Sequence, residues 1–341
     1  MTTLVTGATG FVGSHVARQL VAAGESVRAL ARRGSRRDAL DGVAVEWVEG
    51  DLRDEASLDC ALKGVGRIYH VAADYRLWAK HPQEIYENNV TGTKNLLASA
   101  LRARVEKFIY TSTVATIAVQ RGSELPDEMN RTTVDEMIGS YKKSKLLAEQ
   151  EALRAAHEGL PVIIVNPTTP VGPGDWKPTP TGRIILDFLL GRMPAYVDTG
   201  LNFVAVEDVA KGHLLAAERG KVGERYLLGG ENLTLKQVLD ALAEITALPA
   251  PTRQIPHAVA LVAAYANTAF ARVTNREPRI PVEGVRIARH KMFVNDSKAR
   301  RELGYQPGSV KEALKRAVGW YVAKGYAAIP ERASIAQASA A

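Results

Sequence analysis

The sequence predicts the α/β class: a doubly wound parallel sheet with a smaller, mostly C-terminal lobe. Three observations carry that expectation. Short apolar runs alternate with amphipathic stretches up to about residue 170. Three glycines, Gly7, Gly10 and Gly13, lie between the first apolar run and the first amphipathic stretch. After Pro167 the alternation gives way to a segment dense in Pro, Gly and Thr, with shorter helical patterns beyond it. Alternation at this rhythm makes βαβ units, whose parallel strands need helices on both faces of the sheet.

The expected strands, in order, are "TLVT" (3–6), "SVRAL" (26–30), "VAVEWV" (43–48), "RIYHVA" (67–72), "KFIYTS" (107–112) and "PVIIVN" (161–166). They are rich in the β-branched and aromatic residues that suit a pleated surface. The first helix is expected after Gly13, where Val12, Val16 and Leu20 recur four apart. Two more are expected over 87–103 and 141–159, the latter closed by Gly159. Segment 166–183 reads as a long ordered loop, and 170–183 is expected to act as a lid. Later helices are expected over 234–248 and 310–325. Residues 1–170 then form a cofactor-binding domain, with returning segments near 200–230; 171–330 form mainly a substrate-binding lobe, and 331–341 a flexible tail.

Composition excludes several classes. The chain has 341 residues, 46% hydrophobic and 24% charged, with one cysteine, Cys60. A disulfide framework is therefore impossible within one chain. No basic leader with a cleavable apolar region precedes "TTLVTGATG", so a cytoplasmic location is expected. The longest apolar stretch, 257–273, is interrupted by Asn267 and Thr268 and is too short and polar to span a bilayer. It reads as core, as a dimer helix in a homodimer, or as a surface that holds a lipid. The net charge is +7, yet Lys and Arg are mostly scattered among acids, so nucleic acid is not an expected partner. The seven histidines show no metal-ligand spacing, and His70 reads as structural.

The glycine spacing G-x-x-G-x-x-G allows a tight turn and close approach of backbone to a pyrophosphate, and the following helix offers its free N–H groups to the anion. About twenty residues further on, an NAD enzyme carries an acid that binds the ribose. Here that region reads "RALARRGSRR", with no acid before Asp38. Arg32 and Arg33 would attract a 2′-phosphate, so NADP(H) is expected over NAD(H).

"FIYTSTVAT" places Thr111, Ser112 and Thr113 at a strand's carboxyl end, where the cofactor would lie. Tyr141 and Lys145 follow, four apart and so on one helical face. A hydroxyl, a phenol and an ammonium are what carbonyl reduction needs, because an alkoxide must be protonated. The lysine cation is expected to lower the phenol's pKa and to bind the nicotinamide ribose. Lys142 and Lys143 are expected to be solvated bystanders. Tyr75, Trp78 and Arg183 are substrate-side candidates.

Taken together, "TGATGFVG" (6–13), "GDL" (50–52), "HVAA" (70–73), "NNVTGT" (88–93), "YTST" (110–113), "YKKSK" (141–145), "NPTTPVGPGD" (166–175), "FVAVEDVA" (203–210) and "SKARRELGYQP" (297–307) resemble the extended short-chain dehydrogenase/reductases, the NAD-dependent epimerase/dehydratase family. "HVAADYRLWAKHPQEIYENNVTGT" and "GRMPAYVDTGLNFVAVEDVA" are most similar to its hopanoid-associated sugar epimerase and dihydroflavonol 4-reductase-like members.

The resemblance implies a Rossmann fold and an oxidoreductase moving hydride between nicotinamide and a carbonyl or secondary alcohol. It places Gly7, Gly10, Phe11, Val12 and Gly13 on the pyrophosphate, Arg32 on the 2′-phosphate and Asp51 and Leu52 at the adenine. Ala72 and Ala73 would pass the ribose, Asn89 would shape the central helix, and Pro167, Thr168 and Thr169 would meet the carboxamide. Tyr141 and Lys145 match the catalytic pair. The third strand-end hydroxyl is serine in the family and Thr113 here, which leaves Thr113 and Ser112 both open. The implied substrate is a small molecule, a hopanoid-pathway or a sugar intermediate. A nucleotide-sugar epimerase or dehydratase with recycled cofactor is the alternative. A non-catalytic NADP sensor would have no need of the intact pair.

Overall fold

The computed structural model describes residues 1–117, 124–274, 278 and 281–328. The tail expected at 331–341 lies outside them.

Seven strands form one parallel sheet: β1 (Thr2–Thr6), β2 (Ser26–Ala31), β3 (Val45–Glu49), β4 (Val65–His70), β5 (Lys107–Thr111), β6 (Val162–Pro167) and β9 (Arg225–Leu228), in the order β3-β2-β1-β4-β5-β6-β9. The strand order reverses between β1 and β4, and that reversal opens a crevice at the strands' carboxyl ends. Successive core residues point to opposite faces, as a pleat requires. Val5, Tyr69, Ile109 and Ile163 enter one core layer; Leu4, Ile68, Phe108 and Ile164 enter the other. All eight are buried, so neither face of the sheet could stand in water.

The first layer is covered by α1 (Phe11–Ala22), α7 (Val206–Arg219) and α11 (Ser297–Leu303). The second is covered by α2 (Glu55–Ala61), α4 (Gly92–Ala103) and α5 (Gly139–His157). α3 (Gln83–Tyr86) leads through a π-helical turn, Glu87–Thr91, into α4. A second sheet, β7 (Thr169–Val171), β8 (Gly200–Ala205) and β10 (Glu231–Thr234), runs β10-β8-β7. Over it pack α6 (Pro180–Leu189), α8 (Leu235–Thr246) and α12 (Val310–Ala323), around Phe188, Phe203, Leu239 and Leu314. α9 (His257–Thr274) and α10 (Val282–Ile287) lie against each other.

Several expectations are corrected. The first helix begins at Phe11, so Gly13 lies inside its first turn. The catalytic-pair helix begins at Gly139, not at Tyr141. Segment 166–183 is not one loop, since it contains β7 and the start of α6. Its bend is also fastened down. Asp175 accepts hydrogen bonds from the Thr179 backbone N–H and hydroxyl, both at 2.8 Å, and from the Tyr321 hydroxyl at 3.1 Å. Trp176 packs edge-on against Trp320. These contacts tie the bend to α6 and α12. Burial pushes the Asp175 carboxyl up to about 6.

Two buried histidines tie the layers together. His70 Nε2 lies 3.0 Å from the Thr93 hydroxyl, which donates to the Asn89 carbonyl, so Nε2 carries the proton. Nδ1 then accepts from Thr6 at 2.7 Å. His213 Nδ1 donates to the Val209 carbonyl at 2.7 Å, and its Nε2 accepts from Thr111 at 2.9 Å. Burial holds His70 at about 3 and His213 at about 4. Below about pH 6.5 the unfolded chain binds protons that these rings refuse, so stability falls as pH drops. For His213 alone, the linkage between its folded value of about 4 and the unfolded value amounts to roughly 2 kcal/mol at pH 5 relative to neutral pH. Urea unfolding at pH 7 and pH 5 should show the parent losing that much more than His213→Gln; an equal loss would assign the acid sensitivity elsewhere.

Candidate active site

The glycine loop is built for a close ligand. Gly7 has φ +70°, and a Cβ there would meet the Ala72 backbone nitrogen at 2.6 Å. A Cβ on Gly13 would collide with the Gly7 carbonyl. Gly10 caps α1 in an extended conformation, leaving the first-turn N–H groups of Phe11, Val12 and Gly13 without intrahelical partners. This cradle at the sheet's switch point fits a pyrophosphate. Ala72 and Ala73 follow β4 directly, and the Ala72 N–H donates to Thr6 Oγ1 at 3.2 Å.

At the end of β2, Arg32, Arg33, Gly34 and Ser35 line a cavity of about 710 Å³ with Glu49, Gly50, Asp51, Asp54 and Ser57. Neither Arg32 nor Arg33 forms an ion pair among the described residues, whereas Arg36 pairs with Asp38 and Arg37 lies 4.8 Å over Trp47. Asp51 is occupied by Arg53 at 2.8 Å, which holds its carboxyl below the usual range, and Asp54 caps α2. The Leu52 carbonyl accepts from Asn95 at 2.9 Å. Two guanidiniums without ion pairs, with Asp51 and Asp54 engaged elsewhere, fit a phosphate monoester. Ser35 and Ser57 were not anticipated.

The reactive side chains stand on one face of α5. Tyr141, Lys145 and Glu149 are spaced i, i+4, i+8 and point at the carboxyl ends of β5 and β6. Glu149, 2% exposed, accepts from the Ser112 hydroxyl, from Thr116 at 2.8 Å and from Asn166 at 2.8 Å, and pairs with Arg225 at 3.1 Å. Lys145 is buried; its ammonium donates to the Tyr110 hydroxyl at 3.0 Å and to the Thr111 carbonyl at 2.7 Å. Burial pulls Lys145 down to about 7. Thr113 Oγ1 accepts from the Ala115 N–H at 3.2 Å, and its hydroxyl lies close enough to the Tyr141 phenol to moderate the rise in that group's pKa.

These contacts separate the two strand-end hydroxyls. Ser112 donates to Glu149, whereas Thr113 is the hydroxyl that influences the Tyr141 phenol. The phenol differs from the sequence-based expectation. Burial raises its pKa, the Thr113 hydrogen bond only moderates the rise, and Lys145 contacts Tyr110 rather than Tyr141. Lys142 is a second correction. It is half-buried, its Nζ lies 3.7 Å from Met292 Sδ, and burial lowers it to about 8. Lys143 is half-buried too.

Asn89, in the π-helical turn, accepts from the Asp74 N–H at 2.7 Å and donates to the Ser144 hydroxyl at 2.9 Å, joining the segment after β4 to α5. Thr168 spends its hydroxyl and N–H on the Leu228 carbonyl, beside Pro167 at the end of β6; Thr169 opens β7. The Tyr75 hydroxyl donates to the Lys177 carbonyl at 3.3 Å; Trp78 is half-buried and Arg183 is exposed on α6. Asp208 lies in the first turn of α7 and accepts from the Gly308 N–H at 2.8 Å rather than capping the helix. Glu149 and Tyr110 were not anticipated as parts of the site, although the spacing of Glu149 from Lys145 repeats that of Lys145 from Tyr141.

Comparisons with known proteins agree with this geometry. The model of the NAD dependent epimerase/dehydratase family matches residues 3–229. A putative dihydroflavonol 4-reductase of Synechocystis is 47% identical over 326 residues, 94% of this chain and 95% of that protein. Sterol demethylase protein B of Methylococcus capsulatus is 40% identical over 95% of this chain and 99% of its own length. The crystal structure of gox2253 superposes with a TM-score of 0.86 at 46% identity, covering 96% of this chain and 99% of that one.

Glu149 leaves a clear stability signature. Glu149→Ala strands the Arg225 charge and three buried polar groups, and should cost about 3–5 kcal/mol in urea unfolding. A cost below about 1 kcal/mol would mean that the network does not fasten α5.

Proposed function

The chain belongs to the NAD-dependent epimerase/dehydratase family, whose members depend on a nicotinamide cofactor, and we propose that it is an NADP(H)-dependent reductase of an apolar cyclic ketone. Tyr141 is the proton donor, Thr113 the second hydroxyl and Lys145 the cation behind them. The observation that carries this reading is the placement of Tyr141 and Lys145 on one face of α5 at the carboxyl end of β5, beside Thr113; burial raises the phenol's pKa and so keeps it a proton donor. Reduction needs an acid, because the carbonyl oxygen must gain a proton. The first half of an epimerase cycle oxidises a hydroxyl and needs a base. A neutral phenol is ready for the first task and not for the second.

The cradle of Gly7, Gly10, Phe11, Val12 and Gly13 would hold the pyrophosphate, and Arg32 with Arg33 the 2′-phosphate. Asp51 and Leu52 would flank the adenine; Ala72, Ala73, Pro167, Thr168 and Thr169 would line the path to the nicotinamide. Bound NADPH supplies the hydride. Thr113 donates to the phenol oxygen and so stabilises the phenolate left by proton transfer. Lys145, with a value of about 7, carries its charge in a large fraction of molecules near neutral pH and adds to that stabilisation. Ser112 acts as a positioning residue through Glu149. The relatives named for a dihydroflavonol and for sterol demethylation support a ring ketone of apolar character, the hopanoid class included. Tyr75, Trp78 and Arg183 form the substrate side of this reading.

Arg32→Ala should weaken NADPH binding about tenfold to a hundredfold, the worth of one charge-assisted contact, and leave NADH nearly unchanged in a fluorescence titration. Equal losses for both cofactors would rule out phosphate recognition. Tyr141→Phe should fold, bind NADPH and lose about 10²–10⁴ of the parent's rate on polycyclic ketones. Parental turnover by Tyr141→Phe would move the proton donor elsewhere. Interconversion of nucleotide sugars without net NADPH oxidation would favour the epimerase.

A further inference from the structure

Helix α9 carries apolar side chains on its outer face as well as its inner one. Ala260, Ala264 and Ala271 are buried toward the protein. On the other side Val259, Val262, Ala266 and Phe270 recur three and four apart and are exposed, Val262 and Phe270 by 70% and 67%. That spacing makes one continuous stripe along the helix. Tyr265, also exposed, stands beside it and its hydroxyl accepts from the Arg286 guanidinium of α10 at 2.6 Å. Large apolar side chains lined up in water mark an interaction surface.

The sequence that carries the stripe has a net positive charge. Residues 250–294 contain seven lysines and arginines and two glutamates, so this segment carries five of the chain's seven net positive charges. Arg253, Arg286, Arg289 and Lys291 are exposed, with Lys291 paired to Asp198 at 3.2 Å. Glu283 is half-buried and turned inward against Gly139, two residues before Tyr141. The stripe therefore sits on the same edge of the small lobe as the start of the catalytic helix.

We infer that the α9–α10 face docks onto an anionic phospholipid bilayer. The helix lies flat in the interface, with Val259, Val262, Ala266 and Phe270 at the acyl boundary and the arginines at the headgroups. Among the described residues no helix is long and apolar enough to cross a membrane, and α9 would lie in the plane of the interface through its exposed stripe. Charge selects the occupant. A second copy docked through the same stripe would set two surfaces of like charge against each other, while an anionic leaflet complements both the stripe and its rim. Docking there would hold the reductase against the phase in which an apolar ring ketone dissolves. The surface itself stands apart from the reductase reading, because vesicle binding needs no turnover.

The full chain should co-sediment with phosphatidylcholine vesicles that contain phosphatidylglycerol, and be released from them by salt. Vesicles of phosphatidylcholine alone should retain much less. Val262→Asp/Phe270→Asp should lower the partition coefficient by at least about tenfold. Arg286→Glu/Arg289→Glu should lower it by at least about tenfold on the anionic vesicles only. Unchanged circular dichroism and NADPH affinity show that each variant is folded. The inference is overturned if the parent stays in the supernatant, or if the apolar variant binds as the parent does. It is also overturned if the parent is a dimer in solution that Val262→Asp/Phe270→Asp converts to a monomer.

Discussion

One carboxylate sets the rotation of the catalytic helix. Glu149 is buried two turns beyond Tyr141 on the same face of α5, and it takes hydrogen bonds from β5's end, from the turn after it and from β6, with an ion pair to β9. A helix held only by apolar packing can rotate or slide by small amounts with little change in buried area. Four directional contacts to one carboxylate remove that freedom. Because Tyr141, Lys145 and Glu149 share a face, fixing the last fixes the direction of the first two. The same contacts sort the strand-end hydroxyls: Ser112 is used in holding the helix, and Thr113 is left for the phenol.

The site is made of groups that burial pushes toward neutrality. Burial lowers Lys145 to about 7 and raises Tyr141, disfavouring the charged form of each. Glu149 keeps Arg225 as its counter-ion, and the histidines behind the site stay neutral because each ring nitrogen has a partner of fixed role. A largely buried site of this kind suits the proposed proton transfer to an oxygen that becomes negative only during reaction.

Much of the nucleotide-binding half was legible in the sequence, because its signals are local. Strand composition placed β1 to β6 within two residues; at the start of β3 a turn decides, and Val43, read as strand, closes a turn onto Leu40 instead. The first helix was read too late because glycine is a poor helix former; Gly13 stays inside α1 because close packing on Gly7 requires it. β7 was missed since three residues with Pro170 at the centre give no strand pattern, and their partner β8 begins about thirty residues on. Lys142 was misread for a similar reason. Its helical position says surface, and Met292, 150 residues away in sequence, helps cover it. The exposed stripe of α9 was visible as an apolar segment, but which of its faces is buried depends on the lobe beneath it.

The account rests on Tyr141 holding its proton at working pH. Tyrosinate absorbance can be titrated in the parent and in Tyr141→Phe, and the difference curve belongs to that one phenol. The account predicts that it ionises above the ordinary tyrosine value of about 10. Ionisation near neutral pH would make Tyr141 a resting base, and would place the protein with enzymes that begin by oxidising a hydroxyl.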